Sequence, residues 1–158
     1  MPIHNIKPVF DENSKILILG SFPSVKSREV EFFYGHSQNR FWKVISQVFD
    51  SPEPQSIEEK RKLLFTNSIA LWDVIGSCEI VGSSDSSIKN AVANDISIIL
   101  KAAKIDKIIL NGKTAERYYK KYLEKGISVP AVCLPSTSPA NAACKLSELT
   151  EAWKAEIK

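Results

Sequence analysis

Several common catalytic motifs are missing from this sequence. It contains neither GxxxxGK[ST] nor GxGxxG, the glycine-rich loops that hold nucleotide triphosphates and dinucleotides. It also lacks GxSxG, and its only histidines are His4 and His36, so serine-nucleophile chemistry has little support. Asp73 and Asp85 are too few and too widely separated for a convincing hard-metal site. These absences argue against a nucleotide-binding protein, a serine hydrolase and a metal-dependent enzyme.

Cysteine and long apolar runs are also scarce. Cys78, Cys133 and Cys144 form no CxxC or paired Cys/His pattern of the kind that binds a structural zinc, so we expect reduced, mostly structural thiols. No apolar run approaches the roughly 20 residues that span a bilayer. No basic-then-apolar signal segment opens the chain. We therefore expect a soluble, cytoplasmic protein that does not associate with membranes.

The composition is that of an ordinary globular chain. Its 158 residues are 44% hydrophobic and 25% charged, which predicts a single domain over residues 1–158. The net charge of +3 is mildly basic and does not by itself require a polyanionic partner. The cations fall in two groups, one after the first apolar segment and one on a later helical stretch: Lys26, Arg28, Arg40 and Lys43, then Lys113, Arg117, Lys120 and Lys121. Either group is compatible with a solvated surface or with contacts to a polyanion.

The pattern of apolar segments predicts an α/β fold. Four β-branched segments recur at residues 15–19, 68–74, 107–110 and 129–134, with helical stretches between them. Because parallel neighbouring strands need crossover connections, this alternation predicts a mainly parallel four-stranded sheet with helices on both faces.

Helix boundaries are indicated by apolar spacing and by capping residues. Residues 40–48 carry apolar side chains at helical spacing, and Ser56 with Glu59 forms a capping box that opens the next helix. Asn94 is predicted to cap a helix, and Thr114 to open another. A final helix is predicted over residues 145–157.

In open α/β sheets the functional site lies beyond the carboxyl ends of the strands. That rule selects four loops: "GSFPS" (20–24), the loop after "LWDVI" (71–75), "NGKT" (111–114) and "LPSTSPANA" (134–142). The serines of "GSSDSS" (82–87) are predicted to form a loop over the same edge.

The stretch "YGHSQNRFW" (34–42) is unusually polar for a segment that leads into an apolar helix. Tyr34, His36, Gln38, Asn39 and Arg40 cannot all be buried without partners. Asn39 directly precedes the predicted helix, so one interpretation is an N-cap. Alternatively, its amide lies in a pocket and orients a water or reads an amide edge.

The other selected loops have comparable alternatives. In "GSFPS", Gly20 permits close backbone approach and Pro23 stiffens the turn, which suits either a site or a structural turn. The hydroxyls of "LPSTSPANA" suit phosphate oxygens or caps for the final helix. "NGKT" is either an ordinary turn or a helix N-terminus that faces an anion, with Lys113 adding charge.

Taken in order, these segments resemble the uracil-DNA glycosylase superfamily, and most closely its hypoxanthine-DNA (deoxyinosine) glycosylase branch. The resemblance covers nearly the whole chain and rests on "GSFPS", "YGHSQNRFW", "LWDVIGSCEIVGSSDSSI", "NDI", "NGKTA" and "LPSTSPANA". It implies a three-layer αβα fold around a small parallel sheet, no cofactor, and monofunctional hydrolysis of the bond between a deaminated base and deoxyribose. It also implies a partner, DNA containing a deaminated base, and a monomer without an obligate protein partner.

The resemblance also suggests roles for individual residues. The catalytic residue is expected to be Asn39, which positions a water. The base pocket is expected to comprise Gly20, Ser21, Phe22, Pro23, Ser24, Tyr34, His36, Trp72 and Asp73. DNA contacts are expected from Lys26, Arg28, Asn111, Gly112, Lys113, Ser136, Thr137, Ser138, Pro139 and Asn141. Residues near Pro139 to Asn141 are expected to enter the vacated base stack.

The sequence departs from the better-known branches of this superfamily at two positions. Phe22 stands where the classical enzymes have an acid, and Leu134 stands where they have a histidine. Asn39 is the best remaining polar group in the matching motifs. Three alternatives to a hypoxanthine glycosylase stay open: a uracil-directed glycosylase, a module that binds damaged DNA without cleaving it, and an unrelated α/β hydrolase or nucleotide-binding protein.

Overall fold

A computed structural model describes residues 3–4 and 6–157 of the chain. In chain order its strands are β1 (Ile3–His4), β2 (Ile16–Gly20), β3 (Ile69–Asp73), β4 (Ile75–Glu79), β5 (Lys89–Ala93), β6 (Lys107–Asn111) and β7 (Ala131–Leu134). Its helices are α1 (Val25–Val30), α2 (Phe41–Val48), α3 (Ile57–Thr66), α4 (Ser97–Ala102), α5 (Lys113–Tyr122) and α6 (Leu146–Ile157). None of the described helices is long and apolar enough to cross a membrane.

The centre of the fold is a parallel sheet with the strand order β3-β2-β6-β7. Every residue of β3 is buried, as are the middle residues of β2 and β6. A strand covered on both faces needs continuous apolar runs such as these, because neither row of side chains meets water. Helices flank the sheet in a three-layer αβα arrangement, so the predicted fold class is confirmed.

The helices α2 and α6 pack on each other through aromatic side chains. The rings of Phe41 and Trp153 meet edge to face with centroids 6.0 Å apart, and both residues are fully buried. The capping box of α3 is also present in part, since Ser56 Oγ accepts the backbone N–H of Glu59 at 3.1 Å. In α2 the apolar side chains are the buried ones, so the apolar face predicted for residues 40–48 is the face that packs inward.

Two predicted helix starts are wrong. Asn94 does not cap α4; its side-chain Nδ2 instead donates to the carbonyl oxygen of Asp73 at 2.7 Å. That bond braces the junction between β3 and β4, and the α4 N–H of Ser97 is satisfied by Asp95 at 3.1 Å. Thr114 lies within α5, whose N-cap is Gly112.

A second, antiparallel sheet has the order β1-β4-β5 and was not predicted. The segment after "LWDVI" is therefore strand β4 and not a loop. Its pairing with β5 is interrupted by register shifts on both sides of Ser77. Such irregularities break the alternation of apolar and polar residues from which a strand is recognised, so the sequence pattern gives little sign of this hairpin.

Register brings the ends of the four parallel strands together. Gly20 pairs with Asp73, and Asn111 pairs with Leu134. These residues are the last of their strands, so the segments that follow them emerge at one edge of the sheet. Three of the four selected loops meet there as predicted.

Candidate active site

A cavity of about 350 Å³ opens at this carboxyl edge. Its lining includes all of Gly20–Ser24 together with Tyr34, His36, Asn39, Asp73, Asn111, Gly112, Lys113, Ser136, Thr137, Ser138 and Pro139. Five further lining residues were not named individually as site residues, although the last three lie in segments predicted at this edge: Ser27, Phe33, Ser83, Thr114 and Ala140. Ser83 belongs to the serine-rich loop expected over this edge. Ser27 and Phe33 follow segments that were predicted, but their inward direction depends on the turn after α1.

A chain of hydrogen bonds links three loops across the cavity wall. Thr137 Oγ1 donates to Asn39 Oδ1 at 2.9 Å and accepts from Asn111 Nδ2 at 3.0 Å. The backbone N–H of Thr137 donates to Asn111 Oδ1 at 3.0 Å. Asn111 Nδ2 also donates to the Tyr34 hydroxyl at 3.2 Å. The orientation of each amide is therefore fixed by partners with a defined donor or acceptor role.

Asn39 supports the start of α2 without being its N-cap, and it also lines the cavity. Its Oδ1 accepts the backbone N–H of Phe41, the first residue of α2, at 2.9 Å. Arg40 occupies the N-cap position itself, so Asn39 supports the helix from one residue further out. Because a backbone N–H can only donate, Oδ1 faces the helix and Nδ2 is the amide atom left for the cavity. No described residue accepts from Nδ2.

Tyr34, Asp73 and Gly20 form a tight group at one end of the cavity. A Cβ added to Gly20 would lie 2.6 Å from Asp73 Oδ1 and 3.1 Å from the Tyr34 hydroxyl. Burial, reinforced by the charge of Asp73, raises the pKa of Tyr34 above its usual range. Its hydroxyl therefore stays protonated at neutral pH. Tyr34 has φ 53°, and its ring stacks on Phe41 with centroids 4.0 Å apart, which holds this strained residue in place.

His36 and Phe22 contribute a second part of the lining. His36 Nδ1 accepts the backbone N–H of Gln38 at 3.1 Å, so the neutral ring carries its proton on Nε2. Phe22 is buried, and the Arg28 guanidinium lies 5.7 Å from its ring centroid. The cavity thus offers an aromatic surface and several donors.

The β7–α6 loop (residues 135–145) is held by side chains outside it. Arg40 donates to the carbonyl oxygens of Asn141 and Cys144 and, at 3.4 Å, of Ser138. Trp153 Nε1 donates to the carbonyl oxygen of Pro135 at 3.0 Å. The sequence placed Arg40 among polar residues that need partners if buried, but it did not predict that those partners are carbonyl groups of this loop. Its position beside Asn39 in "QNRFW" was the available signal.

Three residues predicted to contact DNA have polar groups that are already engaged in hydrogen bonds within the protein. Thr137 is fully buried, and its hydroxyl is engaged in the hydrogen-bond chain, so the structure adds no support to its predicted contact with DNA. The side chain of Asn111 is occupied by the same chain. The N–H of Gly112 donates to the carbonyl oxygen of Leu134 at 3.0 Å.

Other predicted residues lie outside the cavity lining. Trp72 does not line it, because its indole Nε1 points away to the carbonyl oxygen of Ile6 at 3.1 Å. Lys26 is exposed, and its Nζ lies 3.9 Å from Glu29 Oε2. Arg28 donates to the carbonyl oxygens of Ser24 and Gly82, joining α1 to the serine-rich loop. Asn141 braces its own loop by donating to the carbonyl oxygen of Ser136 at 3.0 Å.

Ser136, Ser138 and Lys113 keep positions that suit an anion. The hydroxyl oxygens of Ser136 and Ser138 accept backbone N–H groups within their loop at 3.1 Å, which leaves the hydroxyl protons available. Lys113 is exposed at the rim of the cavity. Among the side chains described, no group of three or more His, Cys, Asp or Glu could hold a metal ion.

The fold and this edge-of-sheet cavity define an α/β protein with a small pocket lined by both apolar and polar groups. The family model for the uracil DNA glycosylase superfamily matches residues 7–157, and the chain belongs to that superfamily, as its motifs predicted. A protein of Methanosarcina acetivorans named hypoxanthine DNA glycosylase is 36% identical over 95% of this chain and 94% of its own. One of Methanosarcina barkeri with the same name is 39% identical over 70% of this chain and 72% of its own.

A solved structure is also similar. The solution NMR structure of a Methanosarcina acetivorans protein, assigned as a uracil DNA glycosylase, matches with a TM-score of 0.85 and 34% identity. The match covers 99% of this chain and 97% of the other.

Proposed function

We propose that this protein is a DNA-repair glycosylase that hydrolyses the N-glycosidic bond of deaminated bases, with hypoxanthine as the preferred base. The observation that carries the proposal is Asn39, a cavity-lining residue whose Oδ1 is occupied and whose Nδ2 has no acceptor among the described residues, in a chain similar over nearly its whole length to a protein named hypoxanthine DNA glycosylase. The expected partner is DNA, with the protein acting as a monomer.

The cavity supports a base-flipping mode of binding. Its volume, about 350 Å³, falls at the small end of the usual range for small-molecule pockets. A base within a duplex cannot reach such a pocket, so the target nucleotide rotates out of the stack at a cost of a few kcal/mol. That cost is lowest where a deaminated base is mispaired, which contributes to selection of the damaged site.

Cleavage proceeds through an oxocarbenium-like sugar. The bond between C1′ and the base breaks, and the electron pair leaves with the base. A water then bonds to C1′ and releases a proton to the solvent, from which the base anion is protonated. A deaminated base spreads the resulting negative charge onto its lactam oxygen. The Nε2–H of His36 and the backbone N–H groups around Ser21–Ser24 stabilise that charge. This is why a site with Phe22 in place of an acid remains chemically adequate.

Asn39 positions the attacking water through its amide nitrogen. Oδ1 is committed to Phe41 and Thr137, so Nδ2 donates to the oxygen of the water. An amide cannot act as a true base, so its contribution is orientation of the water toward C1′. The water loses its proton as it reacts with an already electron-deficient sugar.

Asp73 and Phe22 account for base selection. A carboxylate accepts hydrogen bonds only, and hypoxanthine and uracil each carry a ring N–H beside the lactam oxygen that deamination creates. Adenine presents a lone pair at the same ring position and would be repelled. Phe22 provides the surface on which the flipped base stacks.

The DNA backbone is held by the rim of the cavity. Ser136 and Ser138 donate to phosphate oxygens, Lys113 supplies charge, and Pro139 lies near the tip of the loop that approaches the vacated stack. Such contacts give affinity without sequence preference.

The decisive experiment is a single-turnover assay on DNA that carries one hypoxanthine or one uracil, with EDTA present. It compares the unmodified protein with Asn39→Ala and Asn39→Asp. The aspartate keeps an acceptor for Phe41 and Thr137 but removes the Nδ2 donor. We expect preferential release of hypoxanthine and a loss of roughly 10²–10³-fold in rate in both variants, the size typical of one critical donor.

Asn13→Ala is the matched control, because Asn13 is exposed and precedes β2 at the other end of the sheet. It should cleave at the unmodified rate. Preference for uracil would overturn the assignment of the preferred base while leaving a glycosylase. Binding of damaged DNA with no base release, before or after substitution, would replace the proposal with a non-catalytic damage-binding module.

A further inference from the structure

Thr137 connects the β7–α6 loop to Asn39 through a side-chain hydrogen bond. It is fully buried although it lies in an otherwise half-exposed, hydroxyl-rich loop. Its hydroxyl oxygen lies 2.9 Å from Asn39 Oδ1 and 3.0 Å from Asn111 Nδ2. A hydroxyl has one proton, and Asn111 Nδ2 can only donate, so the proton of Thr137 points to Asn39.

The backbone of Thr137 fixes the hydroxyl in that position. Its N–H donates to Asn111 Oδ1 at 3.0 Å, and its carbonyl oxygen accepts the backbone N–H of Arg40 at 3.1 Å. The residue is therefore attached to the residue that ends β6 and to the residue that caps α2. Among the described residues, Asn39 and Asn111 share no direct side-chain hydrogen bond, so the Thr137 hydroxyl is the link between the two amides.

We propose that Thr137 is a positioning residue for the reaction: its hydroxyl, held by Asn111, locks the Asn39 amide with Nδ2 toward the reacting sugar. The inference rests on the proposed glycosylase function of this cavity. Without the hydroxyl, the backbone N–H of Phe41 alone holds Oδ1. A single bond to an amide oxygen leaves rotation about the terminal side-chain torsion, which is intrinsically broad.

The expected consequence is a catalytic defect without loss of substrate binding. Thr137→Val replaces the hydroxyl by a methyl group of similar size and should lower the single-turnover rate by about 10–100-fold, the effect expected when a positioned group is misplaced. Thr137→Ser keeps the hydroxyl and should restore the rate to within about 3-fold of the unmodified protein. Affinity for DNA with a 2′-fluorinated, cleavage-resistant deoxyinosine should stay within about 3-fold in both variants.

Coupling to Asn39 distinguishes positioning from general support of the loop. In an Asn39→Ala background, Thr137→Val should add less than about 3-fold to the defect, because the group it positions is already gone. Thr150→Val is the matched control: it also removes one threonine hydroxyl, which donates to Gln47 Oε1 at 2.8 Å, but between α6 and α2 and outside the cavity lining. This control should cleave at the unmodified rate, and thermal unfolding of each variant measures its effect on stability.

A second readout does not depend on activity. The side-chain amide protons of Asn39, assigned in NMR spectra by their loss in Asn39→Asp, should give sharp signals in the unmodified protein. They should broaden or average in Thr137→Val and be restored in Thr137→Ser. If the unmodified protein releases no base, the proposed function fails, and this signal still decides the structural claim.

Three results would overturn the inference. One is cleavage by Thr137→Val at the unmodified rate. Another is an equal defect from Thr137→Val with and without Asn39, which would mean that Thr137 acts independently. The third is an Asn39 side-chain signal that is the same in Thr137→Val as in the unmodified protein.

Discussion

Gly20 brings the backbone of β2 close to the Asp73 carboxylate and the Tyr34 hydroxyl. It ends β2 beside Asp73 on β3 and has no side chain to separate the strand from the carboxylate. The Tyr34 hydroxyl lies on the same side. Any larger residue at this position must displace Asp73, the Tyr34 hydroxyl or the strand itself.

Gly20→Ala should therefore damage the site more than the fold. The new Cβ would lie 2.6 Å from Asp73 Oδ1, a distance that forces the carboxylate or the strand to move. We expect a fall of about 100-fold in the single-turnover rate, since small displacements at a reacting centre have effects of this size. Overpacking should also lower the free energy of unfolding by roughly 1–3 kcal/mol.

Gly126→Ala is the control for that experiment. Gly126 has φ 89° and open space around its α carbon, so alanine there meets backbone strain alone. It should lose a comparable free energy of unfolding and keep its rate of base release. Equal rates of base release by Gly20→Ala and the unmodified protein would show that the groups beside Gly20, Asp73 and the Tyr34 hydroxyl, take no part in the reaction.

Residue roles could be predicted from the sequence only where neighbours along the chain determine them. "GSFPS" follows an apolar strand directly, so its place at the cavity followed from the sheet rule. The burial of Thr137 did not, because it depends on pairing with Asn111, which is 26 residues away in sequence. Trp72 was misplaced for the same reason: its indole is held by Ile6, at a separation of 66 residues.

At the scale of elements, the four parallel strands were predictable and the antiparallel hairpin was not. The parallel strands are apolar on both faces and need no register to be recognised. The exposed residues of β5 do not alternate regularly with half-buried ones, and its pairing with β4 contains register shifts. The three-stranded sheet is therefore specified by backbone pairing and by the bond from the Asn94 side chain to the Asp73 carbonyl oxygen. Neither is visible in a local sequence pattern.

The link between α2 and the β7–α6 loop is an element-scale feature that can be tested through Arg40. Arg40→Met removes a charged donor from the carbonyl groups of Asn141 and Cys144. Hydrogen bonds to charged groups contribute about 1.5–3 kcal/mol, so we expect the free energy of unfolding to fall by about 2 kcal/mol. Amide hydrogen exchange should accelerate in residues 136–145, because the loop loses its main attachment to α2.

Arg117→Met is the comparison for Arg40→Met. Arg117 is exposed on α5, and its guanidinium carbon lies 5.0 Å from the centroid of the Tyr118 ring. Arg117→Met therefore removes the same charge without touching the loop. Its exchange pattern over residues 136–145 should match the unmodified protein. Unchanged exchange in Arg40→Met would assign the rigidity of the loop to Trp153 and its bond to Pro135.

For the whole molecule, the position of charge matters more than its sum. The net charge is only +3, so any affinity for a polyanion must come from cations close to the cavity. Lys113 is exposed at the rim, at the start of α5. Lys125 is exposed beyond the other end of the same helix, about 15 Å away along an axis that rises 1.5 Å per residue.

These two lysines allow a test in which the net charge is the same in both variants. If DNA lies over the cavity, Lys113→Gln removes one phosphate contact, and the slope of log affinity against log salt concentration should become shallower by about 1. Lys125→Gln should leave the slope unchanged, because its charge lies on the far side of the fold. The measurement is a titration of cleavage-resistant deoxyinosine DNA by fluorescence anisotropy at several KCl concentrations. Equal slopes in the two variants would mean that the protein responds to DNA through its overall electrostatic field. A shallower slope in Lys125→Gln alone would place the DNA on the opposite edge of the sheet.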